Sequence, residues 1–321
     1  DVYKRQLLEG AGGYIVSYRI LFRAVRDVIL PPFTSRILRV LIHTSPCMEG
    51  VRRLYESRRS YRPVRLGVLR RGRRRLYQRV PEGPPLAARE GEALEAWVTV
   101  YTRGLGEAFP LVECGGRLPG PYEGLEFEVA EAVVERLEAL SAGIDGEGEF
   151  KVEIHTPLLL DTKLMTPPPL RGRRLARFNQ AHRLLPTPAY ITASAVRLWL
   201  AIARPDVDPR LHPLYAYAAG RLADVMVAEA DYNIKPTTAL YGRDENGRPK
   251  EPRGVTGYVI YRILNPRIAP LLDKTLALAS RLGLGRSRSI GFGEIQVKPA
   301  KTSPGQPTQE QHEQPNQPGR G

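Results

Sequence analysis

Five histidines are the chain's natural proton-transfer groups: His43, His155, His182, His212 and His312. An imidazole changes charge near neutral pH, and a positioned acid or base contributes roughly 10²–10⁴-fold to a rate. His43 is the best placed. At 100° per residue, Arg36, Arg39 and His43 share one face of a helix capped by Thr34 and stopped before Pro46. Ile37, Leu38 and Leu41 share the other. The same position also suits a purely electrostatic job, a histidine at the negative end of a helix dipole. His155 alternates with Lys151 and Glu153 along a strand and reads as structural or as a contact residue. His182 and His212 fall in proline-rich connections, and His312 lies in a tail.

Metal chemistry finds no support. Two cysteines, Cys47 and Cys114, make neither a disulfide framework nor a four-ligand zinc site, and no His/Cys/Asp cluster has metal-ligand spacing. No cofactor is expected, and a reducing, cytoplasmic setting fits. No Gly-x-Ser-x-Gly elbow points to hydrolases of that type. No apolar run approaches the ~18 residues of a membrane helix.

The net charge of +14 is local. Residues 51–79 hold twelve arginines against one acid, Glu56. Concentrated positive charge is the footprint of a polyanion partner, most often nucleic acid. Arginine outnumbers lysine 40 to 8, which suits planar contacts to phosphate, although a GC-rich genome gives the same bias. Tyr55, Tyr61 and Tyr77 among the arginines suit stacking on unpaired bases. The alternative is a solvated hairpin whose charge is incidental.

A second signal lies in Gly283-Leu284-Gly285-Arg286-Ser287-Arg288-Ser289-Ile290-Gly291-Phe292-Gly293, between a helix and a final strand. It fits neither the nucleotide-hydrolase phosphate loop nor GxGxxG. Its glycines let a backbone approach a phosphate chain, with Arg286 and Arg288 between them. Equally, the glycines could serve packing alone.

Two similar passes position these residues. The first has a strand at Tyr14–Ala24, the His43 helix, a helical stretch and a hairpin around Gly72, then strands at Leu94–Thr102 and Leu125–Val134. Gly143–Gly148 reads as a flexible linker. The second has a strand at Phe150–Leu160, helices near Tyr190–Ala203 and Leu214–Ala230, a strand at Val255–Leu264, a helix at Ile268–Leu282 and a closing strand at Ser289–Val297. This is an α+β plan of two ferredoxin-like βαββαβ units. The expected division is a start segment 1–9, resembling a cloning scar, domains 10–142 and 149–300, and a disordered Gln/Pro/Gly tail 301–321.

The glycine-rich stretch, preceded by Gly254-Val255-Thr256-Gly257-Tyr258-Val259, resembles the C-terminal signature of the CRISPR-associated endoribonucleases of the Cas6 family in the RAMP superfamily. Pro31-Pro32-Phe33-Thr34-Ser35-Arg36-Ile37-Leu38-Arg39 is similar to that family's first helix. His155-Thr156-Pro157 sits where its second domain often opens. The resemblance spans residues 12–298.

It implies metal-independent cleavage of precursor CRISPR RNA within the repeat. There a ribose 2′-OH attacks the adjacent phosphate, leaving a 2′,3′-cyclic phosphate and a 5′-OH. His43 would take the 2′-OH proton. The family's usual histidine often lies near Leu54-Tyr55-Glu56, where this chain has Tyr55, so Tyr55 with Arg58 or Arg59 is the second choice. The expected RNA contacts are Arg36, Arg39, Arg70, Arg71, Arg73, Arg74, Arg75, Lys235, Gly283, Gly285, Arg286, Ser287, Arg288, Ser289, Gly291 and Gly293. Repeat RNA is the expected partner, with effector-complex subunits or a second copy as further ones. A non-catalytic RAMP subunit holding guide RNA, or a generic basic RNA-binding protein, stands as the alternative.

Overall fold

A computed structural model describes residues 7–57, 61–80, 83–107, 114–146, 148–170, 182–243 and 245–300. The expected tail, the residues before Leu7, and Arg58 and Arg59 lie outside them.

The first half runs β1 (Tyr14–Ala24), α1 (Ser35–Thr44), α2 (Glu49–Glu56), β2 (Val64–Leu66), β3 (Arg70–Arg71), β4 (Arg74–Arg75), β5 (Ala93–Thr102), β6 (Gly115–Arg117) and β7 (Leu125–Arg136). Its antiparallel sheet has the order β4-β3-β5-β1-β7-β6, with β2 also on β5. The long strand β1 is central, so Tyr18 pairs with Val98 on one side and Ala132 on the other. Its side chains alternate across the sheet, and Val16, Tyr18 and Ile20 pack with Ile37, Leu38, Leu41 and Ile42 of α1. Between β5 and β7, where a second helix would complete the ferredoxin-like plan, the described residues hold 3₁₀ turns at Leu105–Glu107 and Gly120–Tyr122 and the short β6.

The second half runs β8 (Glu149–Leu158), α3 (Pro188–Ala203), α4 (His212–Met226), β9 (Val227–Thr238), β10 (Arg253–Ile263), α5 (Ala269–Leu282) and β11 (Ile295–Ala300). Its sheet order, β9-β10-β8-β11, is the ferredoxin-like order. Val152, Ile154, Val259 and Tyr261 meet Ile191, Leu198, Trp199, Leu272 and Leu276 in its core.

Several expectations need correction. The helix expected near Leu214–Ala230 ends at Met226, and strand β9 follows it directly. Its sequence carries no apolar alternation because it is an exposed edge, with Pro236 where a ladder donor is missing. The closing strand begins at Ile295 rather than Ser289, after a 3₁₀ turn at Arg288–Ile290. The linker is pinned: the Asp273 carboxylate accepts from Ser141 Oγ (2.8 Å), Ala142 N (2.8 Å) and Ile144 N (3.1 Å). Leu7, placed in the start segment, is buried, and its carbonyl accepts from Trp199 Nε1 at 2.9 Å. Thr34 does not cap α1. Its own backbone is helical, and its hydroxyl donates to the Leu76 carbonyl (2.6 Å) and accepts from Leu69 N (2.8 Å). The hydroxyl thus fastens the start of α1 to the β3–β4 hairpin. No helix of the described residues is long and apolar enough to cross a membrane.

Cys47 and Cys114 form a disulfide, 67 residues apart in sequence, with Cα atoms 5.6 Å apart. The reading of a reducing setting treated both as thiols. The bridge ties the α1–α2 connection to the edge of the first sheet. A cross-link of this kind contributes about 2–4 kcal/mol, chiefly by constraining the unfolded chain. The double variant Cys47→Ser/Cys114→Ser, or the wild type in reducing agent, should therefore melt at a clearly lower temperature. Identical melts with and without reductant would show that the bridge does not form in solution.

Candidate active site at the junction of the two halves

The α1–α2 pair sets the first part of the site. Ile37, Leu38, Leu41 and Ile42 are buried, which leaves Arg36, Arg39 and His43 exposed on the opposite face. His43 Nδ1 lies 3.2 Å from Glu56 Oε1, at the end of α2. A carboxylate at Nδ1 holds the proton there in the neutral ring, so Nε2 carries the lone pair. The His43 and Tyr55 rings meet edge to face, centroids 6.1 Å apart. The Arg62 guanidinium sits 4.8 Å from the centre of the Tyr55 ring.

Tyr55 is a poor base. It is only 4% exposed, and burial pushes its phenol up; Arg39 and Arg62 pull against this, and Tyr241 adds to it. Its place is beneath His43 and Arg62, as their support. The second choice of proton acceptor is thus a buried phenol, and the Arg58 named with it lies outside the described residues.

Arg62 also lines a pocket of about 490 Å³, shared with Tyr61, Asp161, Arg197 and the stretch Gly285–Ser289. Four guanidiniums, those of Arg62, Arg197, Arg286 and Arg288, face one carboxylate. Arg197 and Arg288 bracket the Tyr61 ring at 5.7 and 5.6 Å. Arg286 is half exposed, 3.8 Å from Asp161. Ser287 is exposed and, at φ 57°, is the one non-glycine among the described residues in the left-handed region. Strain of that kind gathers at ligand clamps. Cations in excess around an open pocket are what an anion such as a phosphodiester completes.

The same geometry corrects part of the expected RNA surface. Arg288 is 5% exposed; it donates through Nη1 to the Leu282 carbonyl (3.2 Å) and through Nη2 to the Arg62 carbonyl. Burial and the neighbouring Arg65 lower it to about 10, against a pull upward from Tyr61, so it stays charged at neutral pH. It contributes field to the pocket and holds Arg62, rather than reaching out to RNA.

The glycines serve packing. A Cβ at Gly293 (φ 64°) would sit 1.8 Å from the Leu284 carbonyl oxygen, and one at Gly285 (φ 80°) 2.6 Å from that of Leu159. At Gly291 it would crowd Leu66 O, Phe33 and Ser35, and at Gly283 the Arg288 side chain. The main-chain amides turn inward too: Arg286 N donates to Leu159 O (2.9 Å), Gly293 N to Pro157 O (3.0 Å) and Gly285 N to Ser194 Oγ (3.1 Å). Thr156 Oγ1 donates to Gly291 O (2.8 Å) and Ser35 Oγ to Ile290 O (2.6 Å). Phe292 stacks on Phe33, centroids 4.4 Å apart. The stretch is thereby fixed against the start of α1, which presents Arg286 and Ser287 outward and leaves Ser289 half-buried.

The arginine run divides likewise. Arg65, Arg70 and Arg75 converge on the buried Glu294. Arg71 pairs with Glu92 and donates to Ala87 O (2.7 Å). Arg70, Arg71 and Arg75, expected as RNA contacts, are thus each held in an ion pair within the protein. Arg73 and Arg74 stand exposed at the hairpin tip with no ion pair among the described residues. Lys235 is exposed on the edge strand β9, opposite Thr256.

Two family models match the chain: the Cas6 N-terminal domain over residues 16–134, and the CRISPR-associated endoribonuclease Cas6 over residues 152–295. The chain belongs to the Cas6 family of CRISPR-associated endoribonucleases. It is 27% identical over 290 residues to the CRISPR-associated endoribonuclease Cas6 1 of Saccharolobus solfataricus, covering 88% of this chain and 95% of that one. The Cas6 2 protein of that organism is 26% identical over 286 residues, with the same coverage. Among solved structures, Thermus thermophilus Cas6 superposes with a TM-score of 0.58 at 16% identity, covering 90% of this chain and all of that one. These likenesses establish the tandem ferredoxin-like fold.

In this Cas6 chain, the sequence gives Tyr61 a base-stacking role but gives Glu56, Arg62, Asp161 and Arg197 no place in the site. Arg197 had a signal: it is the only charged residue of the sixteen-residue apolar helix α3. Glu56 had none, because its partner lies across a helix–helix contact.

Proposed function

We propose that this chain cuts precursor CRISPR RNA within the repeat without a metal ion, using His43 and the arginine pocket. One observation carries this reading: the His43–Glu56 pair connects, through Tyr55 and Arg62, to a pocket where four cations face one acid. His43 Nε2 takes the proton of the ribose 2′-OH. The 2′ oxygen bonds to phosphorus while the P–O5′ bond breaks, and the proton returns to the leaving 5′ oxygen. The product ends are a 2′,3′-cyclic phosphate and a 5′-OH. Arg62, Arg197 and Arg286 hold the non-bridging oxygens and offset the charge that grows on them, by fork-shaped contacts in a partly desolvated site. Glu56 fixes the imidazole tautomer and stabilises the imidazolium, as an orienting carboxylate does elsewhere.

The test is incubation of the purified chain with repeat RNA and with unrelated RNA in EDTA. One discrete cut in the repeat alone is the expected result. Tight binding of uncut repeat would move the assignment to a non-catalytic guide-RNA subunit, and equal binding of both RNAs to a generic basic protein.

A further inference from the structure

Strands β3 and β4 pair Arg70 with Arg75 and Arg71 with Arg74 directly across a two-stranded hairpin. Like charges in such cross-strand pairs repel. Its attachment to the sheet is slight, one register pair between Arg70 and Glu95. What offsets the repulsion on one face is distant in sequence: Glu294 Oε1 lies 2.5 Å from Arg70 Nη2 and 2.6 Å from Arg75 Nη2, and Glu294 Oε2 lies 3.1 Å from Arg65 Nη2. Glu294 is 4% exposed. Burial alone would push its carboxyl up, but Arg65, Arg75 and Arg70 outweigh that and hold it well below the usual carboxylate range. Its main chain is equally fixed, Glu294 N donating to Thr156 Oγ1 (2.9 Å) and Glu294 O accepting from His155 N (2.8 Å).

Glu294 directly follows Gly293, the last glycine of the stretch that carries Arg286. One carboxylate thus joins the hairpin whose tip exposes Arg73 and Arg74 to the loop that exposes Arg286. We infer that Glu294 is a positioning residue for RNA: it holds the hairpin tip and the Arg286 pocket in one register, so that a single RNA strand engages both. The inference rests on the endoribonuclease reading above.

The experiment is a thermodynamic cycle on RNA affinity, with Glu294→Gln, the pair Arg73→Ala/Arg74→Ala, and all three changes combined. Glu294→Gln keeps the shape and removes the charge. It should weaken repeat-RNA binding at least tenfold and flatten the salt dependence by about two phosphates' worth, near 0.7 in log–log slope for each on a single strand. The cutting rate at saturating RNA should stay within about threefold. Adding Arg73→Ala/Arg74→Ala to Glu294→Gln should cost little more, because the tip is already out of register. Additive losses, or wild-type affinity in a folded Glu294→Gln protein, would overturn the inference. If Glu294→Gln fails to fold, Arg75→Gln replaces it, since Glu294 keeps two partners there. The same non-additivity with Arg73→Ala/Arg74→Ala is expected, and additivity again overturns the inference. A wild type that neither binds nor cuts repeat RNA brings down the endoribonuclease reading, and this inference with it.

Discussion

Replacing His43 by alanine should slow cleavage of repeat RNA by about 10²–10⁴-fold while leaving RNA affinity within about threefold. The split follows from the geometry. The imidazole stands on the exposed face of α1, linked to the arginine pocket through Tyr55 and Arg62, and a proton-transfer group acts in the transition state. In the proposed mechanism the phosphate contacts that govern affinity are assigned to Arg62, Arg197 and Arg286 instead. Glu56→Gln should cost less, because it disturbs the tautomer without removing the base. Tyr55→Phe should cut at close to the wild-type rate, since a buried phenol pushed up by desolvation takes no proton at neutral pH. Single-turnover rates of the three variants at saturating RNA decide the matter. A slow Tyr55→Phe beside a fast His43→Ala would reverse the assignment.

Gly293→Ala should be the most damaging glycine-to-alanine substitution among the described residues. The added Cβ would lie 1.8 Å from the Leu284 carbonyl oxygen, on a backbone at φ 64°. Neither atom can yield, because Leu284 N also donates to Gly293 O at 2.8 Å. A loss of at least about 3 kcal/mol is expected, enough to leave little folded protein. Gly72→Ala is the control: φ there is 56°, but nothing lies within 4 Å of the added carbon. It should cost about 1 kcal/mol, the penalty for the conformation alone. Thermal melts of both variants test this. A stable Gly293→Ala that no longer binds RNA would return the glycines to the role of admitting a phosphate chain.

The legible part of this protein was the part written in local periodicity. The apolar face of α1, the alternation of β1 and β8, and the turn at Gly72 all carry their signal within a dozen residues. Strand β9 was hidden because an exposed edge strand needs no apolar face. The internal pairing of the arginine run was hidden for a different reason. Its charge count is correct, but Glu294 lies 224 residues beyond Arg70 in sequence, and only the fold reveals that one acid serves three of the twelve arginines. The glycine-rich stretch left two roles open in the sequence, contact with a phosphate chain or packing, and the structure shows the packing. Its glycines answer to Leu284, Leu159 and Phe33, which sequence spacing does not bring together. The Thr156-Pro157 match gained a physical meaning, since the Thr156 hydroxyl braces Gly291. Arg62, the residue that links His43's surroundings to the pocket, stood in plain view among eleven other arginines with nothing local to set it apart.

In the proposed reaction the 2′-OH beside the scissile phosphate is the nucleophile, with His43 taking its proton and no metal involved. The direct measurement compares, in EDTA, cleavage of repeat RNA with that of the same RNA bearing a single 2′-deoxy nucleotide immediately 5′ of the cut. The all-ribose strand should be cut once, leaving a 2′,3′-cyclic phosphate and a 5′-OH, while the deoxy strand should bind with similar affinity and remain whole. Cleavage of the deoxy strand, or a cut that needs Mg²⁺ and leaves a 5′-phosphate, would contradict the account.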